Sequence, residues 1–261
     1  MGVVLKSQQP QPPTESYIDG YANYPYITLT YTLDGGQTHH HVVTESDGYW
    51  RINLDVNNPI TSLEKFLYPG DNNEYEENYN VKSIDFSHIS DSSRITSMAW
   101  MCKSLSQLET VNLHGLERAK PTDIGQIFNS CEKLTTLDMS MIDGTHVNST
   151  VTNHGYATML YGCTRLTEVK LPSFVNAYIG SSPFGRDTAL TSIPVCGTID
   201  VNRFVIADSP LTLSSALVLI NALSNRNGKT AGELKLSSTT YNLLTSSHKA
   251  IAENKNWSIT H

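Results

Sequence analysis

The chain has 261 residues, of which 39% are apolar and only 16% are charged, and its formal net charge is −7 at pH 7. This length favours two domains, and the low charge content leaves Ser, Thr, Asn and Gly to cover much of the surface. The negative charge and the absence of a Lys/Arg cluster predict that nucleic acid is not a partner, because phosphate binding needs a basic patch.

Residues 7–15 are polar and Pro-rich, and residues 1–15 are predicted to form a flexible tail. This start contains no apolar run of signal-peptide length, so we expect either that a leader has been removed or that none existed. No later segment approaches the ~18 apolar residues of a membrane-spanning helix, so no membrane span is predicted.

Residues 16–58 are predicted to form a small, sandwich-like antiparallel β domain. Residues 26–36 (YITLTYTLDGG) and 38–56 (THHHVVTESDGYWRINLDV) are rich in Tyr, Thr, Ile and Val, which favour half-exposed strands. Asp34-Gly35-Gly36 and Asp47-Gly48 indicate turns. Because so small a domain has little core of its own, we expect it to pack against the next segment or against a neighbouring subunit.

A recurring apolar pattern organises residues 59–261. Apolar residues occur at an anchor and at the third, sixth and eighth residues after it. Three segments match at every place: Leu105-Leu108-Val111-Leu113, Cys131-Leu134-Leu137-Met139 and Cys163-Leu166-Val169-Leu171. A fourth segment, Asp187-Leu190-Ile193-Val195, departs only at its anchor. The second places are spaced by 26, 32 and 24 residues, within or near the spacing of leucine-rich repeats.

Side chains at the sixth and eighth places are two residues apart, so they point to the same side of a short strand. Stacking such strands about 4.8 Å apart builds a parallel sheet with a continuous apolar interior. An apolar pair before each anchor predicts the inward face of a short helical turn opposite the strand. The residues expected to form the structural core are Leu108, Val111, Leu113, Phe128, Cys131, Leu134, Leu137, Met139, Leu160, Cys163, Leu166, Val169, Leu171, Phe184, Leu190 and Ile193.

The last residues, from about 210 to 261, are predicted to cap this array. A helix is expected over 213–223, and Tyr241, Leu244, Ile251 and Ala252 form one face of a further amphipathic helix. Trp257 and Ile259 belong to a final strand. The predicted fold class is therefore mainly β with short helices: an α/β leucine-rich-repeat solenoid preceded by a small antiparallel β domain.

Three segments carry a family resemblance: residues 127–140 (IFNSCEKLTTLDMS), 159–172 (MLYGCTRLTEVKLP) and 179–195 (IGSSPFGRDTALTSIPV). They resemble the surface-antigen, or BspA-like, class of leucine-rich repeats. The closing segment, 230–261, resembles a tail found on repeat proteins of gut bacteria and of their phages and mobile elements. The resemblance implies adhesion, host contact or a structural role.

Candidate metal ligands and thiols favour structural interpretations. Cys102, Cys131, Cys163 and Cys196 lack the spacing of a disulfide framework or a metal site, so buried free thiols are expected. Only His39 and His41 of the His run could share a strand face, and a surface strand is favoured over a ligand pair. The acidic stretch 71–77 lacks the glycine and closing glutamate of an EF-hand loop, so a solvated loop is favoured over a Ca²⁺ site.

The sequence contains no GxSxG, HExxH, P-loop or dinucleotide fingerprint. We therefore predict that the protein is not an enzyme and uses no cofactor, metal or catalytic residue. Tyr is concentrated before residue 80, which reflects either strand propensity or a binding surface. The tyrosines that form the candidate contact surface are Tyr17, Tyr21, Tyr24, Tyr26 and Tyr75.

Three functional hypotheses remain from the sequence. The favoured one is a phage virion component, associated with the capsid or tail, that serves assembly or host contact. The alternative is a secreted or envelope-attached bacterial adhesin on the cell surface, and a minor alternative is a carbohydrate-binding module. The expected partners are accordingly other proteins, either virion subunits or a host-surface protein, with a second copy of the chain or a glycan as alternatives.

Overall fold

A computed structural model describes residues 15–148, 155–175 and 182–261. Apart from Glu15, the predicted tail over residues 1–15 lies outside these ranges, as do residues 179–181 of the third repeat-like segment. The predicted division after residue 58 and the predicted cap from about residue 210 stay predictions.

The described chain is mainly β with few short helices. The strands are β1 (Ser16–Ala22), β2 (Tyr26–Leu33), β3 (Gly36–Val43), β4 (Tyr49–Leu54), β5 (Ile60–Ser62), β6 (Val81–Asp85), β7 (Thr110–Asn112), β8 (Thr136–Asp138), β9 (Glu168–Lys170), β10 (Phe174–Val175), β11 (Ile199–Asp200), β12 (Arg203–Ile206), β13 (Gly232–Leu236) and β14 (Trp257–Thr260). The helices are α1 (Leu213–Ala222), α2 (Ser238–Tyr241) and α3 (Ser246–Glu253), with 3-10 turns at Glu76–Asn80 and Gly144–His146.

The first strands form two sheets, ordered β4-β1-β6-β7 and β3-β2-β5. The β2–β3 hairpin turns at Gly36, whose φ of 117° is open to glycine but strained for other residues. β1 pairs antiparallel with β4 and with β6, whereas β6 pairs parallel with β7. One sheet therefore joins the N-terminal strands to the first repeat-like strands, and the apolar cluster is continuous across them.

Parallel pairs connect residues at equivalent places of the apolar pattern. Ile84 lies opposite Val111 in the β6–β7 pair, and Leu137 lies opposite Val169 in the β8–β9 pair. Val111, Leu137 and Val169 stand at the sixth place of their segments. Ile84 stands 27 residues before Val111, within the 24 to 32 residues that separate successive segments. In these two pairs the periodicity of the sequence is thus also the register of the strand pairing.

A second set of backbone hydrogen bonds connects the turn segments that precede the anchors. Cys102 N donates to Ile127 O at 2.8 Å, and Phe128 N donates to Met159 O at 3.0 Å. Leu160 N likewise donates to Pro183 O at 2.8 Å. Hydrogen bonds therefore join successive segments at their turns as well as at their strands.

The predicted helical turns before the anchors are wrong in detail, because the structure has non-helical hydrogen-bonded turns there. Two residues four apart adopt positive φ in each such turn, as Gln126 (55°) and Ser130 (61°) do. Thr158 and Gly162 repeat this pair in the next segment. A left-handed residue interrupts the helical hydrogen-bond ladder and turns alternate N–H groups towards the neighbouring segment.

The residues expected to form the core are buried in the structure, with one departure. Val111 is only partly buried and packs against the edge of the apolar cluster. The other residues of that set are at most 4% exposed. Val195, at the last place of the fourth segment, is 44% exposed because Leu171 pairs with Cys196 instead. A shift of one residue in register turns a strand side chain to the opposite face.

The C-terminal elements partly follow the sequence prediction. The helix expected over 213–223 is α1, whose first turn is capped by the Thr212 side chain accepting from Ser215 N. The prediction of a single amphipathic helix is wrong. The segment is divided into α2 and α3, because Thr245 and His248 form a capping box that begins α3. Within the described residues, no helix is both long and apolar enough to cross a bilayer.

Replacement of Leu166 by alanine should destabilise the protein strongly. Leu166 is fully buried, and removing a buried Leu side chain costs about 2–5 kcal/mol through lost burial and the cavity left behind. Urea denaturation would measure this change. Leu243→Ala is the control, since Leu243 is 45% exposed and its truncation should change stability by less than about 0.5 kcal/mol. Equal effects of the two substitutions would contradict this account of the core.

Asp187 is a buried carboxylic acid at the anchor place that Leu105, Cys131 and Cys163 occupy in the other segments. Its Oδ1 accepts from Cys163 N at 2.9 Å, whereas Oδ2 has no hydrogen-bond partner among the described residues. Burial raises the pKa of Asp187 from 3.8 to about 8. Between about pH 4 and pH 8, the Asp187 carboxyl group is therefore protonated in the folded protein and ionised in the unfolded chain.

Because the folded state binds the extra proton, the free energy of unfolding should fall as pH rises from about 4 to about 8, by at most on the order of 1 kcal/mol per pH unit from this group. Asp187→Asn should remove this slope and be more stable than the parent chain at pH 8. Urea denaturation at several pH values would measure both effects. The exposed Asp34→Asn should keep the parent slope. An unchanged slope in Asp187→Asn would contradict the assignment.

Candidate functional site

The tyrosines of the candidate contact surface lie on two separate faces. Tyr17 and Tyr21 belong to β1, and Tyr21 is 46% exposed. Tyr24, Tyr26 and Tyr75 lie along the outer face of the β2–β3 hairpin. The rings of Tyr24 and Tyr26 are in edge contact at 5.4 Å, and Tyr75 lies 5.9 Å from His39. The five residues therefore form two aromatic groups rather than one.

The outward face of β1 carries charged as well as aromatic side chains, and we call it the β1 face. Burial alternates along the strand, so Tyr17, Asp19 and Tyr21 are the more exposed residues. Gly20 points inward against the Ser83 carbonyl and the Trp50 ring, where a Cβ atom would clash. The absence of a side chain at this position lets β1 lie close to β6.

Strand pairing brings charged groups beside Asp19. In the β1–β6 pair Asp19 lies directly opposite Asp85, and in the β1–β4 pair it lies opposite Arg51. The Arg51 guanidinium is directed elsewhere: it contacts Glu15 at 2.7 Å and lies 3.6 Å from the Tyr17 ring centroid. Within the described part of the chain, neither Asp19 nor Asp85 forms a salt bridge.

His88 completes a cluster of three groups that could hold a metal ion. One ligand atom each from Asp19, Asp85 and His88 lies within 4.8 Å of the others, and all three residues are half-buried. The His88 ring stacks on Tyr17 at 4.1 Å. Sequence reasoning missed this cluster because Asp19 is distant in sequence. The only local signal was the Asp85-x-x-His88 spacing directly after a strand.

Neighbouring groups fix the two carboxylates. The Tyr49 hydroxyl donates to Asp19 Oδ2 at 2.7 Å, and Ser87 N donates to Asp85 Oδ1 at 2.8 Å. Burial, together with the hydrogen bond to Asp19, raises the pKa of Tyr49 to about 12, so its hydroxyl stays a donor at neutral pH. Each carboxylate keeps its second oxygen without a hydrogen-bond partner among the described residues.

The histidines of the β2–β3 hairpin share a face, as the sequence predicts, but each contacts a threonine. His39 Nδ1 lies 3.1 Å from Thr30 Oγ1, and His41 Nδ1 lies 2.9 Å from Thr28 Oγ1. Thr28 Oγ1 also donates to the buried Glu77 at 2.6 Å. These contacts give both histidines a structural role in holding the 3-10 turn against the hairpin.

The acidic loop over 71–77 is largely exposed and lines a cleft of about 310 Å³ together with His39 and Lys65. Asp71 accepts a hydrogen bond from the Tyr68 hydroxyl at 2.6 Å. Among the described residues this loop does not form a cluster of metal-binding groups. The solvated-loop interpretation from the sequence stays the simpler one.

The thiols offer no nucleophile in the described structure. Cys102, Cys131, Cys163 and Cys196 are free, and the first three are fully buried, as the sequence predicts. Cys196 is only half-buried by solvent exposure. Burial raises the pKa of all four thiols, and a thiol with a raised pKa is a poor nucleophile at neutral pH.

Asp85→Asn should stabilise the protein slightly in low-salt buffer containing a chelator. Like charges directly opposite on paired strands are destabilising, so we expect a gain of about 0.2–1 kcal/mol. The gain should shrink at ~1 M NaCl through screening. Thermal unfolding would measure it. Asp138→Asn is the matched control, because Asp138 is paired with Lys170 at 2.7 Å and its neutralisation should give no gain. A destabilised Asp85→Asn would count against carboxylate repulsion.

The chain was compared with known proteins through family models, curated sequences and solved structures. None of the three comparisons gave a match. A function for this chain therefore has to be inferred from its own sequence and geometry.

Proposed function

We propose that this protein is a non-enzymatic binding and structural component of a phage virion, where it is associated with the capsid or tail and serves assembly or host contact. The observation that carries the proposal is the exposure of Tyr21, Tyr24 and Tyr26 on outer faces of the N-terminal strands. Large aromatic side chains at a surface favour protein contacts, because they bury much apolar area at low entropic cost.

We further propose that the rest of the chain is a leucine-rich-repeat solenoid of the BspA-like class. The in-register pairing of Ile84 with Val111 and of Leu137 with Val169 supports it. The parallel strands β12, β13 and β14 extend the same pairing mode to the C-terminal end. A solenoid holds its binding surface at a fixed distance from its far end, which suits a connecting or host-contacting part.

The location of the protein separates the virion role from its alternative. We expect mass spectrometry of purified phage particles to recover the chain at fixed copy number, with washed envelopes of the producing cells as the comparison. Recovery from envelopes alone, with protease sensitivity on intact cells, would replace the virion role by that of a surface adhesin. Binding on a glycan array without binding to particles or envelopes would indicate a carbohydrate-binding module instead.

Tyr21→Ala and Tyr26→Ala should each weaken rebinding of the purified chain to the fraction that contains it. Truncation of a central interface tyrosine costs about 2 kcal/mol, so at least one variant should bind more than tenfold more weakly. A sedimentation assay with labelled protein would measure this. Tyr241→Ala, in the C-terminal part of the chain, is the control. Parent-like rebinding by both folded variants would exclude the tyrosine faces as the contact.

A further inference from the structure

We propose that Asp19, Asp85 and His88 bind one divalent transition-metal cation of the Zn²⁺ type on the β1 face. The three ligand atoms come from β1, from the end of β6 and from the residues that follow β6. They lie within 4.8 Å of one another, compared with roughly 3.4 Å between ligand atoms around one tetrahedral ion. This inference is independent of the virion role.

The charge arrangement favours a cation between the two carboxylates. Asp19 and Asp85 stand directly opposite each other, and like charges in that position repel. Arg51 is the nearest cationic neighbour by register, but it contacts Glu15 and Tyr17 instead. A cation bound at this point would offset the repulsion that the strand pairing imposes.

Neighbouring groups hold the two carboxylate ligands and the imidazole in place. Tyr49 donates to one oxygen of Asp19, and Ser87 N donates to one oxygen of Asp85. The other oxygen of each carboxylate has no hydrogen-bond partner within the described ranges, so it can bind an ion. Stacking on Tyr17 fixes the plane of the His88 ring. Such outer contacts reduce the loss of side-chain freedom on binding.

The donor set decides the class of cation. One imidazole nitrogen with two carboxylate oxygens suits Zn²⁺ and similar ions, whereas Ca²⁺ and Mg²⁺ prefer oxygen ligands only. Tetrahedral bonds of about 2.0–2.2 Å place ligand atoms roughly 3.4 Å apart, so ligand atoms now up to 4.8 Å apart would have to close by about an ångström through side-chain rotation. Because the three residues are half-buried and not fully buried, water can supply the remaining ligands.

The test is calorimetric titration of ZnCl₂ into the full chain after removal of bound metal by a chelator, with CaCl₂ titrated in parallel. We expect one Zn²⁺ per chain and much weaker Ca²⁺ binding. Asp85→Asn and His88→Gln should each lower Zn²⁺ affinity at least tenfold. Zn²⁺ should also raise the melting temperature of the parent chain and not that of Asp85→Asn.

Two matched controls separate this site from other groups on the surface. Asp138→Asn changes the outward carboxylate at the end of β8, and His114→Gln changes a histidine that contacts Glu117 at 3.0 Å. Both should bind Zn²⁺ like the parent. Parent-like affinity in Asp85→Asn and His88→Gln, or no stoichiometric binding by the folded parent, would overturn the proposal.

X-ray absorption at the zinc edge of the loaded parent protein gives a readout that needs no variant. We expect nitrogen and oxygen ligands only, with the scattering of one imidazole. A sulfur ligand would assign the ion to a cysteine and overturn the proposal, even if the substituted chains failed to fold.

Discussion

Hydrogen bonds between the backbones of successive segments align their apolar residues with one another. Strands such as β8 and β9 pair in parallel, and turns such as the one from Gln126 to Ser130 hydrogen-bond to the turn of the next segment. Where both sets of bonds are present, an apolar place meets the same place of the next segment, as Leu137 meets Val169. The positive φ angles in the turns are the local strain that this second set of bonds requires, at roughly 1–2 kcal/mol for each non-glycine residue.

The β1 face results from the antiparallel pairing of β1 with β6. β1 runs antiparallel along β6, and Gly20 lets the two strands approach closely. That register sets Asp19 against Asp85, so the electrostatics of the face follow from backbone pairing. Tyr17, Tyr49 and Ser87 then fix the orientation of the polar groups around them.

The apolar period could be predicted because burial acts on every segment in the same way. Leu134 and Leu166 stand at equivalent places, and each is fully buried. What the period could not predict depends on backbone detail: the shifted pairing of Cys196, the left-handed residues in the turns, and the capping box that divides the last helix. The grouping of Asp19 with Asp85 could not be predicted, because it arises from a strand pairing between residues 66 positions apart in sequence.

The antiparallel course of β1 also limits how the molecule can assemble. A repeat array with a bare first strand offers a template on which another chain can add in the same direction, which is a common route to open-ended fibres. β6 presents no such template, because β1 occupies its free side and β4 lies beyond β1. Addition of a further parallel strand directly to this side of β6 is therefore blocked.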